Sequence, residues 1–175
     1  MEEHHNYTDD FGKDFPIVEM QGDEDLLKLH KTAFLCSRKI PSAAVLKCYD
    51  WAIAQRDAGR CVISGFHSTL EQDVFHYLAK GEQPIILVLA RGMKKRWEAE
   101  IQKMLDRGRF LIITPFNRDI KRSSKRTAAL RNKVILSLAD VVCIGYLNPE
   151  GKLQQLLQSY SCQKPVQYLV KPDEI

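Results

Sequence analysis

The chain has 175 residues, 45% of them apolar and 27% charged, with a formal net charge of +4. These values suit one globular domain with its own core and exclude long disorder or a fibrous repeat as the main character. The longest apolar runs, 85–90 and 134–147, fall short of the roughly 20 residues a spanning helix needs, and the acidic opening MEEHHNYTDDF lacks the apolar stretch of a signal peptide.

Residues 1–25 read as an acidic arm, with 22–27 a short turn or helix leading into a single domain over 26–175. KTAFLC (31–36) predicts a strand. Pro41 and Ser42 open a helix to about Ala58, which Gly59 ends. CVIS (61–64) is a second strand, closed by Gly65, and residues 70–80 are a helix stopped by Gly81. PIILVLA (84–90) is a buried strand, 95–107 a helix, and FLIIT (110–114) a strand stopped by Pro115. Ser123 or Ser124 caps a helix to about Ala139. VVCIGYL (141–147) is a strand, 152–161 a helix and PVQYLV (165–170) the last strand. The strands are apolar on both faces, as parallel strands under two helix layers should be. The expectation is a doubly wound, mainly parallel six-stranded α/β sheet, Rossmann-like and three-layered.

Charge is unevenly spread. Residues 1–25 hold nine acids against one Lys, whereas residues 91–133 hold fourteen Lys and Arg against four acids. A basic segment this dense suits an anionic partner such as nucleic acid, although a solvated helical face would carry the same charges. The five cysteines (Cys36, Cys48, Cys61, Cys143, Cys162) form no CxxC pair and mostly sit in apolar runs. They read as reduced packing residues of a cytoplasmic protein rather than a disulfide framework or zinc site.

In an open α/β sheet, ligands bind beyond the carboxyl ends of the strands, near the point where strand order reverses. That rule selects Ser37, Arg38 and Lys39 after the first predicted strand, and Ser64 to Thr69, including Gly65, His67 and Ser68, after the second. It selects Arg91 and Lys94 to Arg96 after the third, Thr114 to Arg118 with Phe116 after the fourth, and Asn148 to Lys152 with Gly151 after the fifth. Small residues, hydroxyls and cations before helix N-termini suit phosphate. Ser37, Ser68 and Thr69 equally suit helix caps, and Gly65 and Gly151 equally suit turns. Arg38, at the end of a buried strand, wants an anionic or carbonyl partner.

Several chemistries are excluded by pattern. No GxGxxG follows a strand, no P-loop GxxxxGKS or GxxxxGKT occurs, and no GxSxG elbow is present. No His, Cys or carboxylate set has metal-ligand spacing. His76, between Phe75 and Tyr77, reads as a packing residue, and His67 alone is a weak acid–base signal. The expectation is no catalytic set, no metal and no cofactor.

Two stretches, 34–78 and 131–157, go beyond generic α/β. CSR at 36–38, SG at 64–65 followed by an acidic residue, RNK at 131–133, LAD at 138–140 and GK at 151–152 occur in order across one domain, and GDEDLL at 22–27 precedes them. In this order and spacing the chain resembles the Rossmann-like domain of the DNA-processing protein A family (DprA, also called Smf) over about 22–170. The resemblance implies single-stranded DNA binding, strand protection and loading of a RecA-type recombinase in transformation and recombination. It also implies a homodimer without cofactor. Carried over by position, Ser37 and Arg38 would bind phosphate, Ser64 and Gly65 would shape the adjacent loop, Arg131 and Asn132 would order the rim, and Gly151 and Lys152 would close the last loop. Cys36 stands where the family has Gly, FHSTLEQD replaces the usual loop, and the family's flanking domains are lacking.

The expected mechanism is a strand path. Arg38, Lys39 and helix N-termini hold phosphates, the basic segment extends the path, and Phe66, Phe116 and Trp97 are candidates to stack bases. Trp97 equally suits anchorage of its own helix. The alternative is a sensor domain for a nucleotide or nucleotide-derived ligand at the same rim. A third reading is a nucleotide N-glycosidic hydrolase using His67 or Glu71, against which the missing PGGxGTxxE signature argues.

Overall fold

Apolar runs of four or five residues become strands here because helices bury both of their faces. The computed structural model describes residues 5–8, 14–159, 164–171 and 173. In chain order it contains β1 (His5–Thr8), β2 (Asp14–Ile17), β3 (Glu19–Gly22), a 3-10 helix (Glu24–Lys28), β4 (Lys31–Leu35), α1 (Ser42–Asp57) and β5 (Cys61–Ser64). There follow α2 (Thr69–Ala79), β6 (Ile85–Val88), α3 (Ala99–Asp106), β7 (Phe110–Thr114), α4 (Lys125–Leu138), β8 (Val141–Ile144), α5 (Lys152–Ser159) and β9 (Val166–Tyr168). Cys162 and residues 1–4 and 9–13 of the acidic arm lie outside the described residues.

The main sheet runs β3-β7-β6-β5-β4-β8-β9. The six expected strands are all present and mutually parallel. The sheet has seven strands rather than six, because β3 adds an antiparallel edge with Glu19 opposite Thr114 and Gly22 opposite Leu111. EMQG carries no apolar run, so only its pairing identifies it as a strand. Residues read as part of an arm therefore join the sheet, and Ile17 just before them is buried in the core. β1 and β2 form a separate antiparallel pair.

Two apolar layers enclose the sheet. Alternate strand residues Phe34, Val62, Ile85, Phe110 and Cys143 pack under α1, α2 and α3. Ala33, Ile63, Ile86, Leu111 and Val142 pack under α4, α5 and the 3-10 helix. Strand order reverses between β4 and β8, the position that the doubly wound rule marks for ligands. Two helix boundaries follow local chemistry. Ser124 caps α4 in a reciprocal box with Thr127. α3 begins at Ala99 rather than 95, and the displaced Trp97 donates its indole N–H to Gln21 Oε1 on β3 at 3.0 Å.

The amino-terminal end of the sheet is tied by the Asp140 of the LAD motif. Its Oδ2 accepts from the Lys31 backbone N–H at 2.7 Å and from Lys31 Nζ at 3.1 Å. The buried Nζ also donates to the Leu27 and Leu29 carbonyls. Burial alone would raise the Asp140 carboxyl, but the two Lys31 hydrogen bonds and the Lys31 charge hold it below its ordinary value. A depressed folded-state pKa adds stability that is present above the ordinary carboxylate value and lost as pH falls through the folded one. Asp140→Asn is therefore expected to lower the urea midpoint at neutral pH. The deficit should shrink as pH falls from the ordinary carboxylate value through the lower folded one, as urea titrations from neutral into acid will read; a deficit that does not shrink in acid would contradict this role.

Candidate functional site

A cleft of about 720 Å³ opens at the carboxyl ends of β5 and β6. Its floor is apolar and aromatic, from Phe66, Phe75, Leu87, Leu89, Trp97 and Ile101. Its rim is mainly basic, with His67, His76, Arg91, Lys94, Lys121 and Arg122, and Glu98 on the α3 side. Arg131 reaches in from α4 and is only 6% exposed.

The turn after β5 shapes one wall. Ser64 is fully buried, donates to the Phe34 carbonyl at 2.8 Å and accepts from the Phe66 N–H at 3.3 Å. Phe66 takes a left-handed backbone with φ of 44°, a conformation that costs a non-glycine residue about 1–2 kcal/mol. Its ring packs on Phe75 with centroids 5.2 Å apart, which repays part of that strain. Gly65 leaves room for the Arg131 side chain, because a Cβ there would stand 2.7 Å from the guanidinium.

Arg131 Nε donates to Asn132 Oδ1 at 3.1 Å. Its terminal nitrogens form no hydrogen bond or ion pair with a described residue. A guanidinium stays charged even when burial works against it, as burial does here, with Glu71 opposing and Arg38 reinforcing the effect. A buried fork facing a cleft without a protein partner has the chemistry to take an anion.

Glu71 lies behind the turn, 7% exposed, its Oε2 accepting the His67 N–H at 3.2 Å. Burial drives its carboxyl above the usual carboxylate range, and Arg131, the His67 N–H, Ser68 and Arg38 offset only part of that. Burial and then the charges of Arg131 and Arg38 hold the His67 imidazole below its ordinary value. Arg38 itself is exposed and engages no described carboxylate or carbonyl.

The residues selected from the sequence fall into separate places. Gly65, His67, Arg91 and Arg131 meet in the cleft, with Asn132 supporting Arg131. Ser68 caps α2 by accepting the Glu71 N–H. Ser64 has no exposed surface and shapes the turn from inside. Ser37, Arg38, Lys39, Gly151 and Lys152 gather at the β4–β8 mouth instead. There Ser37 laces the two loops together: its N–H donates to the Tyr146 carbonyl, and its Oγ accepts the Asn148 N–H, both at 2.9 Å. Gly151 closes the same loop by donating to the Asn148 carbonyl, while Lys39 and Lys152 are exposed. Phe116 is half-buried outside the cleft, and Arg118 pairs with Glu19 on the β3 edge beside Lys94 and Lys95.

Sequence reasoning missed Gln72, Phe75, Leu87, Leu89 and Ile101, and read His76 as packing although it is exposed on the cleft wall. Gln72, Phe75 and His76 lie three and four residues apart on α2, so one helix face supplies them. Among the described residues no His, Cys, Asp or Glu group converges to hold a metal ion, and no helix is long and apolar enough to cross a membrane.

The fold and cleft define an α/β protein with a basic-rimmed, aromatic-floored cleft at the carboxyl ends of its strands. The chain belongs to the DNA recombination-mediator protein A family, a DNA-processing family whose model matches residues 5–171. Its fold is similar to that of DNA processing protein A from Helicobacter pylori, a structure solved for its single-stranded DNA binding mode. That match has a TM-score of 0.67 and 20% identity over 85% of this chain and 69% of that one. DNA processing protein A from Streptococcus pneumoniae matches with a TM-score of 0.66 and 15% identity, over 85% of this chain and 53% of that one. The Moco carrier protein of Chlamydomonas reinhardtii matches more distantly, with a TM-score of 0.51 and 11% identity over 82% of this chain and 78% of that one. No curated protein gives a significant sequence match.

Proposed function

We propose that the cleft binds single-stranded DNA without breaking a bond, and that the protein acts in the cytoplasm in strand protection and delivery to a recombinase. The observation that carries this reading is Arg131, a buried guanidinium with free terminal nitrogens at the bottom of a cleft that has an aromatic floor and a basic rim. Phosphates seat on Arg131, Arg91 and the 121–122 cations, and unpaired bases lie against the apolar floor, which a stacked duplex cannot offer. Arg38, one loop away, adds charge to the same approach. Family membership supports the reading, and pairing into a homodimer belongs to it as well.

Fluorescence anisotropy with a labelled oligothymidine across a salt series tests it. If some five phosphates are neutralised, the log–log slope should be about −3 to −4. Arg38→Ala should weaken binding about threefold and flatten the slope by about 0.7. A flat salt response in the wild type would remove the reading. The concave, apolar-floored cleft also suits a mononucleotide. Thermal stabilisation by mononucleotides with no binding of the oligonucleotide would favour that second reading.

A further inference from the structure

Glu71 has no part in the reading above, yet it is one of the few charged side chains enclosed among the described residues. It sits on α2 behind the Gly65–His67 turn, and Arg131 lies against the same turn at Gly65. The two opposite charges feel each other but form no salt bridge. The carboxylate takes the His67 N–H, the Ser68 hydroxyl and the field of two arginines. The groups that bear on it are Arg131 from α4, Arg38 from beyond β4, His67 and Ser68 from its own turn, and the buried Cys36 thiol at the end of β4. A buried carboxylate on the same turn as a guanidinium repels an anion that comes to that guanidinium.

We infer that Glu71 is the resident counter-charge of the anion site, which an incoming phosphate competes with for Arg131 and Arg38, so that strand binding takes up a proton at Glu71. This rests on the strand-binding reading. Burial raises the carboxyl, so the uptake falls above the ordinary carboxylate range. Binding therefore tightens as pH falls, and the carboxylate weakens it most at alkaline pH.

Glu71→Gln separates charge from scaffold, because Gln keeps an oxygen that accepts the His67 N–H. Around pH 8, Glu71→Gln should bind an oligothymidine of about 20 nucleotides roughly three- to tenfold tighter than wild type. The ratio should shrink toward one as pH falls and wild-type Glu71 gains its proton. His67 is the same in both proteins, so its titration largely cancels in the ratio. Glu71→Asp keeps the charge and should follow the wild type within about twofold. A purely structural Glu71 predicts equal or weaker binding by Glu71→Gln at every pH, and that result overturns the inference, as does a tighter ratio that ignores pH.

If the wild type binds no oligonucleotide, the strand reading fails and sulfate decides the inference. At a few millimolar sulfate against chloride of equal ionic strength, Glu71→Gln must gain more Tm than wild type, and an equal gain overturns it. Should Glu71→Gln not fold, calorimetry of a His67→Asn, His76→Asn double variant with the same oligonucleotide, or with sulfate if the strand does not bind, in buffers of different ionisation enthalpy reads the proton with both cleft imidazoles removed. Net uptake is expected, and no uptake overturns the inference.

Discussion

Arg131→Ala is expected to lower oligothymidine affinity by roughly 30- to 150-fold, about 2–3 kcal/mol, the range for losing a charge-assisted hydrogen bond to a ligand. The side chain sits at the bottom of the cleft with its Nη groups uncommitted, so the whole of its hydrogen-bonding capacity there is available to an anion. Arg131→Lys keeps a charge but loses the planar fork, and should recover only about a tenth of the lost affinity. Arg131→Ala should also cost about 1–3 kcal/mol of stability, because it removes the Nε bond to Asn132 and leaves Glu71 without its nearest compensating charge. Anisotropy and urea unfolding of the same preparations read both effects. A loss of affinity below about threefold in a folded Arg131→Ala would show that the cleft is not where phosphate sits.

The two parts of that prediction differ in how far the sequence shows them. Burial under two helix layers makes a strand apolar on both faces, so runs such as PIILVLA and FLIIT identify the parallel sheet directly. β3 lacks that mark: EMQG is short and polar, and only its hydrogen bonds to β7 make it a strand. The site is legible to a smaller degree for a related reason. A serine at the end of a strand offers the same hydroxyl to a ligand and to a backbone group, and here Ser64 and Ser68 serve the backbone. Ser37 likewise accepts the Asn148 N–H. Phe75 and His76 carry the same spacing as core residues, and only the position of α3 leaves their face open to the cleft. Arg131 was reached through the RNK resemblance. Its burial follows from the small size of Gly65 sixty-six positions earlier in the chain.

Gly92→Ala is expected to disorganise the basic rim while leaving Arg131 in place. The loops after β6 and β7 lie against each other: the Gly92 N–H donates to the Ile120 carbonyl at 2.8 Å, and Thr114 Oγ1 donates to the Arg91 carbonyl. A Cβ on Gly92 would stand 2.2 Å from the Asn117 carbonyl oxygen and 2.6 Å from Arg118 Cα. Both obstacles are backbone, so no rotamer change relieves them, and the 115–123 loop must move. That loop carries Lys121 and Arg122 to the cleft, and Arg91 is the neighbour of the substituted residue. Overpacking of this kind costs about 1–3 kcal/mol. With two or three cations displaced, the salt slope of strand binding should flatten by about 1.5–2, because each phosphate contact contributes about 0.7 to it. Affinity at low salt should fall by roughly tenfold, whereas Arg131→Ala weakens binding far more for a smaller change in slope. The two variants therefore separate the rim, which supplies long-range charge, from the buried fork, which supplies a specific contact. A destabilised Gly92→Ala with an unchanged slope would mean that the cations of the 115–123 loop do not lie on the strand's path.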